Sequence, residues 1–217
     1  MLKSKAFKIT ISVLLVVLVA LGVLALLIFD DPNEGKYSVE ASSKLMQDII
    51  VSTVTNKELT IDNYELNSGL IYSLKKVDNE GSVDGIYFDL NDMKDDGSVK
   101  LYIPVTRHSK HLGFSAYVKP ELDTQNEVFS FKISNAKLGR LPLPSKNLAE
   151  KIRKSEPDIF TCSGDTLYAN AYLKYNIHST DVKIKFDKFE IKDGQIIIKT
   201  SGLLKMVEDF LKEELFS

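Results

Sequence analysis

The sequence predicts an α+β fold preceded by a single N-terminal transmembrane helix. Two observations predict the α+β part. Apolar residues recur at helical spacing before Gly85 and near the C-terminus, and between these two regions they mostly alternate with polar residues. A third observation, a long apolar run near the N-terminus, predicts the transmembrane helix. Because the strands come in two runs without strand-helix-strand repeats, we expect an antiparallel sheet packed with amphipathic helices.

The run Ile9–Phe29 has the length and composition of a membrane anchor. Of its 21 residues only two hydroxyl residues and one glycine are not hydrophobic. At a rise of about 1.5 Å per residue it spans about 31 Å, close to the hydrocarbon thickness of a bilayer. A cleaved signal peptide and a buried core helix are the alternatives, but no small-x-small cleavage site follows the run. The anchor positions are Ile9, Val13, Leu14, Val17, Leu21, Leu24, Leu27 and Phe29.

The charges around this run predict its direction across the membrane. Three lysines and no acidic residue precede it, namely Lys3, Lys5 and Lys8, and three acidic residues follow it within five positions. Positive charge stays on the cytoplasmic side, so we expect the rest of the chain outside the plasma membrane. The chain then divides into a cytoplasmic tail (1–8), the anchor (9–29), a tether (30–38) and an extracytoplasmic α+β domain (39–217).

The composition excludes several classes of partner. The chain has 28 basic and 30 acidic residues, and without the three N-terminal lysines the external part carries a formal charge of about −5. This charge argues against nucleic acid as a partner and against adhesion to anionic lipid by charge alone. Cys162 is the single cysteine, which excludes an intramolecular disulfide. An external domain without a disulfide is typical of a Gram-positive bacterium.

Apolar spacing predicts helices at four places in the external domain. The first covers about Val39–Thr53, and the second about Asn63–Lys75, where Asp62 has the position of an N-cap. The third covers about Ser145–Lys154 and follows two prolines, which cannot sit inside a sheet. The fourth covers about Leu203–Phe216.

Alternation predicts the strands and the face that each of them buries. Strands are expected around Val99–Thr106, Phe114–Val118, Phe129–Ile133, Leu167–Tyr175 and Val182–Phe186, and Asp193-Gly194 predicts a hairpin turn. On the first strand, Lys100, Tyr102 and Thr106 should face water. The candidate apolar face consists of Leu66, Leu70, Leu74, Val99, Leu101, Ile103, Phe129, Phe131, Val207, Phe210 and Leu211.

Three stretches of the chain carry a family resemblance. They read LTIDNYELN over Leu59–Asn67, KLGRLPLP over Lys137–Pro144 and KDGQI over Lys192–Ile196. Together with the N-terminal run, they resemble the YpmS-like family of Firmicutes, small membrane-anchored proteins without an established activity. The resemblance implies an envelope protein whose sheet is curved around a helix, similar to tubular lipid-binding domains. It implies no catalytic residues.

No combination of residues in the chain specifies a reaction. We therefore expect a protein that is not an enzyme, with no catalytic residue, no metal site and no cofactor. His108 and His111 could complete a metal site with Cys162 or His178, but structural zinc sites supply four well-spaced ligands. Two Ser-x-x-Lys matches, typical of some hydrolases, arise by chance in a lysine-rich chain.

Two functions of different classes fit these features. The first is a membrane-anchored extracytoplasmic binding protein that holds a lipid or another apolar envelope component in a groove between sheet and helices. The second is a structural or regulatory envelope protein that docks a protein partner and has no ligand cavity. The apolar faces alone do not separate the two, because the same faces can close into an ordinary core.

Overall fold

The computed structural model describes residues 17–77, 83–107, 110–155, 157–177 and 180–202. Its helices are α1 (17–29), α2 (Lys44–Thr55), α3 (Asn63–Val77) and α4 (Ser145–Ser155). Its strands are β1 (Leu59–Ile61), β2 (Tyr87–Met93), β3 (Val99–Arg107), β4 (Lys110–Asp123), β5 (Val128–Leu138), β6 (Leu141–Pro142), β7 (Thr161–Ser163), β8 (Thr166–Asn170), β9 (Tyr172–Ile177), β10 (Thr180–Lys192) and β11 (Gln195–Ser201).

The strands form two antiparallel sheets. One has four strands in the order β1-β11-β10-β9, and the other has seven, in the order β2-β3-β4-β5-β8-β7 with β6 paired to β5. Every strand pairing of the described residues is antiparallel, so the predicted α+β class is confirmed. The prediction of one sheet is wrong, because the chain changes sheets inside a stretch that the alternation predicts as one strand.

Ala171 is the point at which the chain changes sheets. It separates β8 from β9, and only 1% of its surface is exposed. Its amide donates a hydrogen bond to the carbonyl of Glu127 (2.8 Å), and its carbonyl accepts one from the amide of Phe186 in β10 (3.1 Å). The carboxylate of Glu127 also forms ion pairs with Lys183 and Lys185 of β10. These bonds join the β4–β5 turn of the larger sheet to the smaller sheet.

The core follows part of the predicted apolar face. Val99 and Phe129 are buried, as predicted, and Leu66 and Phe131 are partly buried and packed against buried clusters. Leu70, Leu74, Leu101 and Ile103 are half-buried. Val207, Phe210 and Leu211, with the predicted fourth helix, lie outside the described residues.

The predicted helices and turn have different outcomes. Helix α3 is confirmed, and the carboxylate of Asp62 accepts a hydrogen bond from the Glu65 amide (2.7 Å), as an N-cap does. The hairpin turn is also confirmed, because Asp193 and Gly194 both have positive φ, 52° and 73°. Helix α4 begins at Ser145 as predicted. Helix α2 begins at Lys44 instead of Val39, because Val39 packs against a tyrosine cluster beside the sheet.

The predicted anchor is described only in its C-terminal part. Residues 17–29 form α1, and within the described residues no helix is both long and apolar enough to cross a membrane. Val17, Leu21, Leu24 and Phe29 are exposed, and Leu27 is half-buried. The other anchor positions and the three orienting lysines lie outside the described residues: Ile9, Val13, Leu14, Lys3, Lys5 and Lys8.

Candidate functional site

The chain that follows α1 crosses the outer face of the seven-stranded sheet, and we call residues 30–41 the crossing segment. The hydroxyl of Tyr102 donates to the carboxylate of Asp31 (2.6 Å), and Nζ of Lys100 donates to Oδ1 of Asn33 (2.8 Å). The segment predicted as a tether therefore lies against β3. Tyr102, predicted to face water, is only 3% exposed. This contact is not predictable from the sequence, because the apolar residues of the segment do not recur at helical or strand spacing.

A tyrosine cluster holds the second half of the crossing segment. The ring of Tyr37 lies 5.6 Å from that of Tyr87 and 5.2 Å from that of Tyr102, measured between centroids. Burial raises the pKa of Tyr102 above its ordinary value, and its hydrogen bond to Asp31 raises it further. Burial also raises the pKa of Tyr37, whose hydroxyl donates to Asp89 (3.0 Å). Both phenols therefore stay protonated and act as donors near neutral pH.

Gly139 allows the C-terminal end of α1 to lie against the sheet. It has a φ of 57°, and a Cβ atom at this position would overlap the carbonyl oxygens of Leu27 and Ile28. The next amide, that of Arg140, donates to the Leu27 carbonyl (2.7 Å), and Nε of Arg140 lies 2.9 Å from a carboxylate oxygen of Asp30. The start of the crossing segment is thus held at a defined place on the sheet.

A pocket of about 490 Å³ lies between the crossing segment and the sheet. Among the described residues, four basic side chains line it, one from the segment and three from the sheet side, and no carboxylate does. The basic residues are Lys36, Lys100, Lys137 and Arg140. The uncharged polar lining consists of Asn33, Ser115, Tyr117 and Asn135. We call this cavity the basic pocket.

Two of the four cations have no acidic partner within the part of the chain that the structure describes. Arg140 is paired with Asp30, and Lys100 lies 3.8 Å from a carboxylate oxygen of Asp92. Among the described residues, no carboxylate lies within 4 Å of the ammonium group of Lys36 or Lys137. These two lysines are exposed, and they come from different parts of the chain, Lys36 from the crossing segment and Lys137 from β5. The pocket therefore offers uncompensated positive charge from both sides.

A β-bulge places Lys137 and Asn135 in the pocket. In the β4–β5 pairing, Ser115 pairs with Lys137 and Tyr117 with Ser134, so that two residues of β5 stand opposite Ala116. In a regular strand, residues two and four positions apart face the same side, so Lys137 would face the core as the buried Ile133 does. The extra residue of the bulge reverses this for Lys137. Asn135 adopts a φ of 50°, which asparagine tolerates better than most residues. The bulge thus directs a cation and an amide to the outer face.

Asp92 lies beside the pocket and is negatively charged. The Tyr117 hydroxyl donates to both of its oxygens (3.0 and 3.1 Å), and Nζ of Lys94 donates at 3.3 Å. Burial raises the pKa of Asp92, but the bonds from Tyr117 and Lys94 and the charges of Lys94 and Lys100 outweigh this, so its pKa lies below the ordinary value. Asp92 thereby orients Tyr117 and Lys100 at the edge of the pocket.

The metal-site alternative gains no support from the described residues. They contain no group of three or more His, Cys, Asp or Glu that could hold a metal ion. His111 is exposed, with Nδ1 lying 2.9 Å from the Thr106 hydroxyl, while His108 and His178 lie outside the described residues. Cys162 is half-buried and packs beside a core cluster.

Comparison with known proteins identifies no relative of this chain. The chain matches no family model, and the comparisons with curated proteins and with solved structures find no match. The resemblance to the YpmS-like family, and the sheet curvature that it implies, stay predictions. Sequence reasoning misses the basic pocket, although the stretch Lys137–Pro144 that carries part of the resemblance contributes two of its cations.

Proposed function

We propose that this protein is a membrane-anchored extracytoplasmic binding protein and that the basic pocket binds an anionic ligand. One observation carries the proposal: of the residues that the structure describes, four cations and no carboxylate line a cavity of about 490 Å³, in a chain whose formal net charge is −2. A concave site lined by cations has a positive local potential even when the net charge of the chain is negative. Such a site attracts anions. The apolar run 9–29 and the lysines before it support the anchor and its direction.

The described residues favour the outer pocket over an apolar groove between sheet and helices. Where α2, β1 and β2 meet, Leu45, Ile61 and Leu90 are buried in one cluster with residues of β3 and β11. This apolar space is occupied by side chains. The pocket on the opposite face of the sheet is open and is lined by basic and uncharged polar side chains, so we place the ligand there. Its side chains bind and orient an anion, and the proposal includes no catalytic step.

Replacing Lys137 by glutamine is expected to weaken anion binding by about 10- to 150-fold. The change removes one of the two unpaired charges and one charge-assisted hydrogen bond, which contributes roughly 1.5–3 kcal/mol to binding. The full chain in phosphatidylcholine nanodiscs would be titrated calorimetrically with phosphate, sulfate and citrate. We expect saturable binding of at least one of these anions at one site per chain.

Lys132→Gln is the matched control for this experiment. Lys132 lies on the same strand and is also exposed, but it does not line the pocket, so binding should be unchanged. Equal weakening by both variants would show a nonspecific effect of net charge. If none of the three anions binds and phosphatidic acid placed in the nanodiscs does not bind either, the proposed function is wrong.

A second candidate function, the docking of a protein partner, is favoured by an apolar stripe on α2. Met46, Ile50 and Val54 follow one another at intervals of four residues and are exposed, as is the neighbouring Val51 (59%). Such a stripe suits an apolar surface of a partner protein. In this reading the protein is a structural or regulatory component of the envelope.

Ile50→Asp is expected to abolish crosslinking to such a partner without unfolding the protein. Ile50 is half exposed, so the change should cost no more than roughly 0.5 kcal/mol of stability. Crosslinks from α2 in cells should give one stoichiometric product with the wild type and with the control Ile159→Asp, which alters an exposed residue outside α2. A product that persists in Ile50→Asp would exclude the stripe as the docking surface.

A further inference from the structure

We infer that the anion in the basic pocket is a phosphate group, held between Lys36 and Lys137, and that its binding fastens the crossing segment to the sheet. The inference rests on the proposed function of this pocket and adds the class of ligand and a consequence of binding. Three observations support it: the charge balance of the pocket, the donors that line it and the origin of its two walls.

The charge balance of the pocket matches a dianion better than a single carboxylate. The charges of Arg140 and Lys100 are opposed by Asp30 and Asp92, which leaves those of Lys36 and Lys137. A phosphate monoester carries about −1.5 to −2 charges at pH 7 and presents three acceptor oxygens. One phosphate group can therefore meet both lysines, whereas one carboxylate would leave a positive charge uncompensated.

The uncharged lining supplies the donors that phosphate oxygens accept. Oδ1 of Asn33 accepts from Lys100, so the group that Asn33 has left to offer a ligand is its NH₂. Asn135 presents a second amide from the bulge. An acceptor-only group with several oxygens satisfies these amides and the two ammonium groups together.

The two walls of the pocket belong to different parts of the chain. Lys36 and Asn33 lie on the crossing segment, which follows α1 directly, and Lys137 and Asn135 lie on β5. An anion that contacts both walls attracts each of them, while in the empty pocket Lys36 and Lys137 are like charges that line one cavity. Occupancy of the pocket therefore stabilises the attachment of the chain after α1 to the sheet.

Two sources could present such a phosphate group. The first pocket residue, Pro32, comes three positions after the end of α1 at Phe29, so a lipid in the bilayer of the proposed anchor could reach the pocket with its headgroup. A free or soluble phosphate would reach the same side chains from solution. The chemistry recognised is the same in both cases, and the experiment separates them.

Hydrogen exchange of the crossing segment tests the inference on the full chain in nanodiscs. The amides of Asn33 and Lys36 are probes, because they donate to Asp31 (2.9 Å) and to the Asn33 carbonyl (3.1 Å) within the segment. At a phosphate concentration about ten times its Kd, we expect their exchange to slow about tenfold. Inorganic phosphate in phosphatidylcholine discs represents the free source, and phosphatidic acid in the discs represents the lipid source. Slowing in either arm supports the inference and identifies the source.

The controls distinguish failure of the inference from failure of the proposed function. Lys36→Gln, an exposed position, should remove the slowing, and Lys132→Gln should keep it. If citrate binds and slows exchange as well as phosphate does, the ligand class is wrong while anion binding stands. If phosphate binds without slowing exchange, the fastening of the segment is wrong. If no anion and no phosphatidic acid has any effect, both the inference and the proposed function fail.

Discussion

Phe129→Ala is expected to lower the free energy of unfolding by about 3–5 kcal/mol, the range for removing a buried phenylalanine ring. Phe129 is 8% exposed, and its ring meets the rings of Phe186 and Phe189 at centroid distances of 5.2 and 5.4 Å, both edge to face. It lies on β5, whereas its two partners lie on β10 of the other sheet. Truncation would therefore leave a cavity where the two sheets meet, and the partner rings would lose their specific contacts.

Urea unfolding followed by circular dichroism measures this loss. Ile159→Ala is the control, because that side chain is largely exposed and should change stability by no more than about 0.5 kcal/mol. The slope of the free energy against urea should stay unchanged, since both sheets still unfold together. A loss below about 1 kcal/mol for Phe129→Ala would show that the aromatic contacts do not couple the sheets.

Asn67→Leu is expected to cost about 2–6 kcal/mol, because it leaves two backbone groups of β2 without partners. Asn67 lies on α3 and is 2% exposed. Its NH₂ donates to the Phe88 carbonyl (2.8 Å), and its Oδ1 accepts from the Phe88 amide (2.7 Å). Since β2 ends the strand order of its sheet, this side chain occupies the place of a further strand.

Asn63→Leu provides a graded comparison within the same helix. Oδ1 of Asn63 accepts from the Leu90 amide (2.9 Å), so this change leaves one group of β2 unpaired and should cost about half as much. Unfolding by urea gives the two free energies, and hydrogen exchange of the Phe88 and Leu90 amides locates the effect. Unchanged exchange at Phe88 in Asn67→Leu would show that this bond does not protect the strand edge.

The two core variants also separate stability from ligand binding. Neither Phe129 nor Asn67 lines the basic pocket, because Phe129 packs against β10 of the other sheet and Asn67 bonds to the edge strand β2. A folded population of either variant should bind the small anions as the wild type does. The lysine variants should behave in the opposite way, because Lys36 and Lys137 are exposed and their loss affects the ligand more than the fold.

Much of the secondary structure can be predicted from the sequence, because its signals are local. Asp62 caps α3 through a residue three positions on, and Asp193-Gly194 adopts the positive φ values that its hairpin turn needs. Prolines before Ser145 mark the start of α4. Alternation also identifies Phe129 as a core residue. The role of Asn67 is not predictable in this way, since its partner Phe88 is distant along the chain.

The sequence by itself determines the α+β class, the antiparallel pairing, the main helices and turns, and the apolar run that predicts an anchor. Only the tertiary structure decides that the strands divide between two sheets at Ala171 and that the crossing segment covers β3. The basic pocket also forms only in the tertiary structure. The bulge between β4 and β5 turns Lys137 outward, and the chain after α1 brings Lys36 to the same pocket. Local patterns report the preferences of neighbouring residues, whereas a pocket depends on the placement of segments that are distant along the chain.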